Sequence, residues 1–259
     1  MPRVPGGRVL LTRMSESLFY HLGRKMGPKF RKARWLWTSA TGTEADTIRV
    51  ERGVGLDLAQ EAKQQLQMDA EPRTRETLDE IGRRLGDRVT NKLRTFCFEA
   101  FHCGEPNAFA LPGGFIFISR PILDLCGWNE HEIAFILSHE MGHVLKGHAI
   151  DRIMTNSAVS AASRSVSVQG LLGAWLRNVG IRFLETAYSR DNELEADRLG
   201  VRLAVAAGYD PQGAIRLLTR LAQLHQSPDP LTLGEYFSTH PTAEVRIQAI
   251  RHYLASCPD

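Results

Sequence analysis

Two short stretches carry residues whose types and spacing could do chemistry. The first is HEMGH, residues 139–143, and the second is ELEAD, residues 193–197. On a helix, residues four apart lie on one face, one turn from each other. His139 and His143 would then aim two imidazoles at one point, with Glu140 beside the first. Such a pair suits a zinc ion, and the glutamate can reach a water on the metal without ligating the metal itself. Ile133, Ile136, Leu137, Met141, Val144 and Leu145 surround these residues with apolar side chains. Two histidines and a glutamate in such company are costly to bury unless paired or ligated.

Catalytic zinc takes three protein ligands and leaves a position for water. His148 follows His143 by five residues, whereas a third histidine on one continuous metzincin motif comes six residues on. His148 therefore reads as a residue at the end of the same helix, or one that supports a ligand. Glu193 and Asp197 stand four apart on a second expected helix. One carboxylate could ligate the metal while the other accepts the free N–H of a ligating histidine and so fixes its tautomer. Glu195 is out of phase with that pair and should point elsewhere.

The elements that must position these residues follow from periodicity. Helical spacing runs from Glu51 to about Met68 and from Arg73 to Leu93, with Leu78, Ile81, Leu85, Val89 and Leu93 on one face. The period then changes. Residues 95–102 alternate as a strand, and 114–120 form a second strand after Pro112-Gly113-Gly114. Asn129 with Glu132 three residues on is a capping-box start for the helix that carries HEMGH. Residues 150–180 read as loop and helix. Further helices are expected over about 190–207, from Asp210-Pro211 to about His225, and from about Thr242 to Leu254. Helices, a short sheet, then helices make an α+β domain.

Composition bounds the rest. The chain has 259 residues, 43% hydrophobic and 24% charged, which suits a folded domain with a core. Its net charge of +3 does not call for nucleic acid. The four cysteines, Cys97, Cys103, Cys126 and Cys257, lack paired C-x-x-C spacing and read as reduced. No secretory signal or spanning helix is visible, so a cytoplasmic location is expected. Residues 1–50 are expected to be a basic, partly ordered arm ahead of a single domain over 51–259. Within the arm, residues 23–37 interleave six Lys/Arg with Phe30, Trp35 and Trp37. That stretch is expected to pack its tryptophans on the domain; the alternatives are an anionic membrane surface or nucleic acid.

HEMGH followed by ELEAD resembles the gluzincin metallopeptidases that include the CAAX prenyl endoprotease and HtpX. PNAFALPGGFIFIS, residues 106–119, and FSTHPTAEVRI, residues 237–247, are similar to two further segments of that family, in the same order. The resemblance covers roughly residues 75–255. It implies a zincin-like fold with a small mixed or antiparallel sheet, one zinc ion per chain, and hydrolysis of peptide bonds. It implies His139, His143 and Glu193 as ligands, Glu140 as general base and Asp197 as the carboxylate supporting a ligand. His240 would stabilise the oxyanion and Arg246 would organise the site. Asn107, Ala108, Gly114 and Phe115 would hold the substrate backbone, with 114–119 as an edge strand that the peptide joins. The best-known family members span membranes, whereas this sequence shows no spanning helix. The implied activity is that of a soluble endopeptidase acting on proteins or peptides. A zinc-bound latent form, or a non-proteolytic adaptor at a membrane surface, is the alternative.

Overall fold

The computed structural model describes residues 43–156, 188–225 and 243–256. Helix α1 (Glu44–Gln65) is followed by β1 (Gln67–Met68), α2 (Pro72–Gly86), β2 (Cys97–His102), β3 (Ala108–Leu111), β4 (Phe115–Ser119) and the short α3 (Arg120–Leu125). Then come α4 (Glu130–Leu145), α5 (His148–Asn156), α6 (Arg190–Ala206), α7 (Gln212–His225) and α8 (Ala243–Ser256). The α+β reading holds.

The four strands are ordered β1-β2-β4-β3. The β2–β4 pair is parallel and the two outer pairs are antiparallel, so the sheet is mixed. The pleat sends alternate residues of β4 to opposite faces. Phe115 and Phe117 join Phe101, Phe109 and Leu111 against Val54, Leu58, Ala59 and Ala62 of α1. Ile116 and Ile118 join Ala100, Ala108 and Ala110 in the larger core with Leu78, Ile81 and Leu85 of α2 and the apolar residues of α4. The sheet is thus covered on both faces.

That order overturns the expectation that 114–119 is the edge strand. β4 is paired on both sides, and the edge on the α4 side is β3. FIFIS is apolar at four of five positions and buried at all five, the mark of an interior strand. Gly113 and Gly114, at φ of 72° and 92°, make the turn between β3 and β4. Side chains there would run into the backbones of Arg52 and Thr95, respectively. The Pro-Gly-Gly turn is therefore shaped by close packing on α1 and the start of β2, and Phe115 pairs with both Cys97 and Leu111.

Two boundaries and one cap also differ. α1 begins at Glu44, where the Thr43 hydroxyl accepts from the Asp46 N–H at 3.2 Å. α2 stops at Gly86 instead of reaching Leu93; the chain turns, and Leu93 is 56% exposed. Of the capping box only half forms. Asn129 accepts from the N–H groups of His131 and Glu132, but the Glu132 carboxylate does not reach back. It is buried and meets Arg216 at 3.4 Å and Arg220 at 3.2 Å, tying the start of α4 to α7.

Candidate metal centre

α4 is buried along its length, from Glu132 to Val144, and crosses α6 at close range. Small residues set that distance. A side chain on Gly142 would come within 2.9 Å of the Ala196 carbonyl, and one on Gly200 within 2.9 Å of the His139 nitrogen. The backbones approach as only glycine permits, which brings Glu193 across to the histidines. Ser189 starts α6, its hydroxyl accepting from the Asn192 N–H at 3.2 Å.

His139, His143 and Glu193 converge. His143 Nε2 lies 3.1 Å from His139 Nε2 and 3.3 Å from Glu193 Oε1, and His139 Nε2 lies 3.6 Å from Glu193 Oε2. Tetrahedral zinc with bonds of about 2.0–2.1 Å places its ligand atoms about 3.3–3.4 Å apart. The spacings of His143 Nε2 from His139 Nε2 and from Glu193 Oε1 are close to that, and one donor atom from each of the three residues could hold a metal ion.

The surroundings orient them. His139 Nδ1 is 2.9 Å from Asp197 Oδ1, so the N–H on that side donates to the carboxylate and Nε2 keeps its lone pair for a metal. Arg246 of α8 donates to Asp197 twice, Nε to Oδ2 at 2.9 Å and Nη2 to Oδ1 at 2.7 Å. Its Nη1 reaches Glu193 Oε2 at 3.3 Å. Arg246 Nη2 also stands 3.3 Å from His139 Nδ1, but both nitrogens carry hydrogen there, so the Asp197 contact is the bond. Burial alone would raise the Asp197 pKa; Arg246 and His139 outweigh it and hold the group at about 2. Glu140 is buried on the same turn of α4.

His148 does not end α4. Gly147, at φ 76°, breaks the chain, and His148 opens α5. Its Nδ1 lies 3.1 Å from His143 Nδ1, and its Nε2 lies 3.3 Å from Glu195 Oε2. It supports His143 rather than joining the three donors. Burial lowers its pKa, against the pull of Glu195. Glu195 points away from the convergent donors, as its phase suggested, and also accepts from Lys146 at 2.7 Å.

Two residues at the centre escaped sequence reasoning. The Tyr188 ring stacks on His143 with centroids 3.8 Å apart and an angle of 15°. Arg152 of α5 lies over the same tyrosine, 4.3 Å from its centroid, and donates to the Ala110 carbonyl at 3.3 Å. No motif flags either one.

The remaining expected residues fall in different places. Asn107 precedes β3; its N–H donates to Ser119 Oγ at 2.7 Å and its carbonyl accepts from the Ser119 N–H at 2.8 Å. Ala108 lies on the edge strand, whereas Gly114 and Phe115 lie in the packed turn and the inner strand. His240 and residues 23–37 lie outside the described residues.

Comparison with known proteins places this arrangement. The mitochondrial metalloendopeptidase OMA1 of Schizosaccharomyces pombe is 36% identical over 154 residues, 58% of this chain and 44% of that protein. Metalloprotease YcaL of Escherichia coli is 28% identical over 184 residues, 69% of each chain. The putative beta-barrel assembly-enhancing protease of Vibrio cholerae is 29% identical over 203 residues, 73% of this chain and 40% of that one. The chain spans less than half the length of the OMA1 relatives it matches. A crystal structure of Ste24p from S. mikatae aligns with 95% of this chain and 66% of that one, at 15% identity and a TM-score of 0.40, too distant to bear on the fold. Peptidase family M48 matches residues 72–254, a span that holds α2 through most of α8 and every residue of the centre described above, and the chain belongs to that family.

Proposed function

We propose that this chain is a zinc-dependent endopeptidase acting on proteins or peptides, with His139, His143 and Glu193 as ligands. The observation that carries the reading is the convergence of those three side chains, with His143 Nε2 3.1 Å from His139 Nε2 and 3.3 Å from Glu193 Oε1, and with Glu140 buried next to His139 on α4. When bound, zinc supplies the Lewis acidity that makes water nucleophilic near neutral pH. Glu140 takes the proton of the attacking water and passes it to the leaving amine. Asp197, clamped by Arg246, holds His139 in the tautomer that ligates. His240 is the candidate for the oxyanion, by its family segment alone.

The peptide is assigned to β3 instead of β4. Asn107 and Ser119 form a hydrogen-bonded pair, so by alternation Ala108 and Ala110 direct their N–H and C=O groups away from β4. An extended substrate would add there as a further strand. A latent form is the second reading, favoured by the burial of His139, Glu140, His143 and Glu193, none more than 2% exposed. No helix among the described residues is long and apolar enough to cross a membrane. Contact of residues 23–37 with an anionic membrane surface stays part of the proposal, tested by vesicle flotation with and without residues 1–42.

The test is zinc content and cleavage of an unstructured protein such as casein, for wild type and Glu140→Gln. Both should hold one zinc. Wild type should cleave, and Glu140→Gln should be about a hundred- to ten-thousandfold slower. Equal inertness of the two zinc-loaded proteins on varied unfolded substrates would overturn the active reading and leave the latent one. Full activity with tight zinc in Glu193→Ala would overturn the ligand set.

A further inference from the structure

We propose that Arg152 is a carboxylate-binding residue of the peptide cleft, selecting substrates with an acidic side chain or a free C-terminal carboxylate close to the scissile bond. This rests on the peptidase reading above and adds a substrate class to it.

Arg152 is only 7% exposed. Its Nη2 donates to the Ala110 carbonyl, its guanidinium lies on the Tyr188 ring, and its Nε has no hydrogen-bond partner among the described residues. Among the described residues no carboxylate stands within ion-pair distance of it. Arg246, also buried, shows the contrast: it meets both Asp197 and Glu193. A buried guanidinium without a counter-charge is costly, and one carbonyl and one ring face offset only part of that cost. Its planar fork is shaped for a carboxylate.

Position says whose carboxylate that is. Arg152 sits on the outward carbonyl of β3, at the edge proposed for the substrate. The other face of Tyr188 is covered by His143, because two groups this close to one ring must lie on opposite sides. The guanidinium is therefore roughly 8 Å from a ligand imidazole, two to three residues along an extended chain at about 3.3 Å per residue. A peptide on the β3 edge passes Arg152 within that reach of the bond being cut. Its carboxylate would pair with the free face of the guanidinium.

The experiment measures peptide binding, so it does not depend on turnover. Zinc-loaded Glu140→Gln protein is titrated by fluorescence anisotropy with an amidated neutral decapeptide scanned with Glu or Gln at each position. A second pair carries a free or an amidated C-terminus. At one or two adjacent positions, or at the free terminus, the carboxylate form should bind about ten- to a hundredfold tighter. The scan and the terminal pair distinguish the two sources. Adding Arg152→Gln should abolish the preference, and Arg152→Lys should retain part of it by keeping the charge without the fork. Zinc content and the thermal midpoint confirm that each variant is folded; should Arg152→Gln fail to fold, the reduced ratio in Arg152→Lys decides. Equal binding of all peptides, no binding of any, or a preference that survives loss of the guanidinium overturns the proposal. Failure of casein cleavage with the binding preference intact would instead count against the active peptidase reading.

Discussion

The centre has two walls, and they are built differently. The α4–α6 wall is set by helices in close contact, with Gly142 against Ala196 and Gly200 against His139. Each group is held by another: Asp197 by Arg246, His139 by Asp197, and His143 by its contact with His148. The β3 wall is an edge strand of four residues whose outward groups are met, at Ala110, by a single arginine. One wall holds its side chains through close helix packing and a chain of buried contacts. The other leaves the outward backbone groups of Ala108 and Ala110 unpaired by β4, and it is the wall to which the proposed peptide is assigned. Rigid support belongs where geometry decides the chemistry, and an open ladder belongs where many sequences must fit.

Breaking the rigid wall should have the largest effect. Arg246→Met leaves Asp197 as a buried charge with only His139 against it among the described residues, and losing one partner of a buried pair costs about 3–5 kcal/mol. Urea unfolding of the metal-free protein measures that loss. Zinc affinity, read by competition with a chromogenic chelator, should fall about 10- to 100-fold because the support of His139 is loosened. A stable Arg246→Met protein with unchanged zinc affinity would show that the wall does not work as a unit.

Gly142→Ala comes next. Alanine favours a helix by about 1 kcal/mol over glycine, yet the new methyl meets the Ala196 carbonyl, and such overpacking costs about 1–3 kcal/mol. The net should be destabilising, with weaker zinc binding as Glu193 is pushed from the histidines. A gain in stability would mean that the helices part freely.

On the open wall the expected effect is smaller and of another kind. The Ala108 N–H points away from β4, so Ala108→Pro removes a donor from the free edge without cutting the β3–β4 ladder. Stability should change by less than about 1 kcal/mol while KM for a peptide rises about tenfold and kcat changes little. A fall in kcat at constant KM would place the substrate elsewhere.

The same contrast explains what the sequence reveals. The proposed ligands are legible because helical spacing is local: four residues apart means one face, whatever the rest of the chain does. The choice between Glu193 and Asp197 needed family resemblance, and the geometry fits that choice. The glycines of the crossing were visible as letters, but their use depends on a partner helix more than fifty residues away. Strand order is not local at all. Alternation in 95–102 and 114–120 says that strands exist, not that β4 lies between β2 and β3; the continuous apolar run of FIFIS was the available hint. Half of the Asn129 capping box failed because two arginines of α7 compete for Glu132. Leu93 fits a helical period, but the helix had already ended at Gly86. Tyr188 and Arg152 carry no pattern, since a ring stacked on a ligand and a cation on a strand edge arise only from tertiary packing.

The far end of the sheet offers the mildest test. There Asp69 accepts from the Glu71 N–H at 2.8 Å, from Arg120 at 3.1 Å and from Thr74 at 3.2 Å, joining the end of β1 to α2 and α3. Burial pushes its pKa up, but the Glu71 N–H, Arg120 and Thr74 together bring it below the usual carboxylate value. A carboxylate lowered in the folded state stabilises the fold above its unfolded pKa of about 3.9, and that contribution fades as pH falls through the lower folded value. Wild type should therefore exceed Asp69→Asn in stability by about 1 kcal/mol or less above pH 5, with the gap closing below pH 4. Urea midpoints of the two metal-free proteins across that range check the sign. The difference should leave zinc affinity at pH 7 untouched, because nothing in this cluster touches the α4–α6 crossing. A shift in zinc affinity from Asp69→Asn would show that the sheet transmits strain to the helix pair and that the two walls are one.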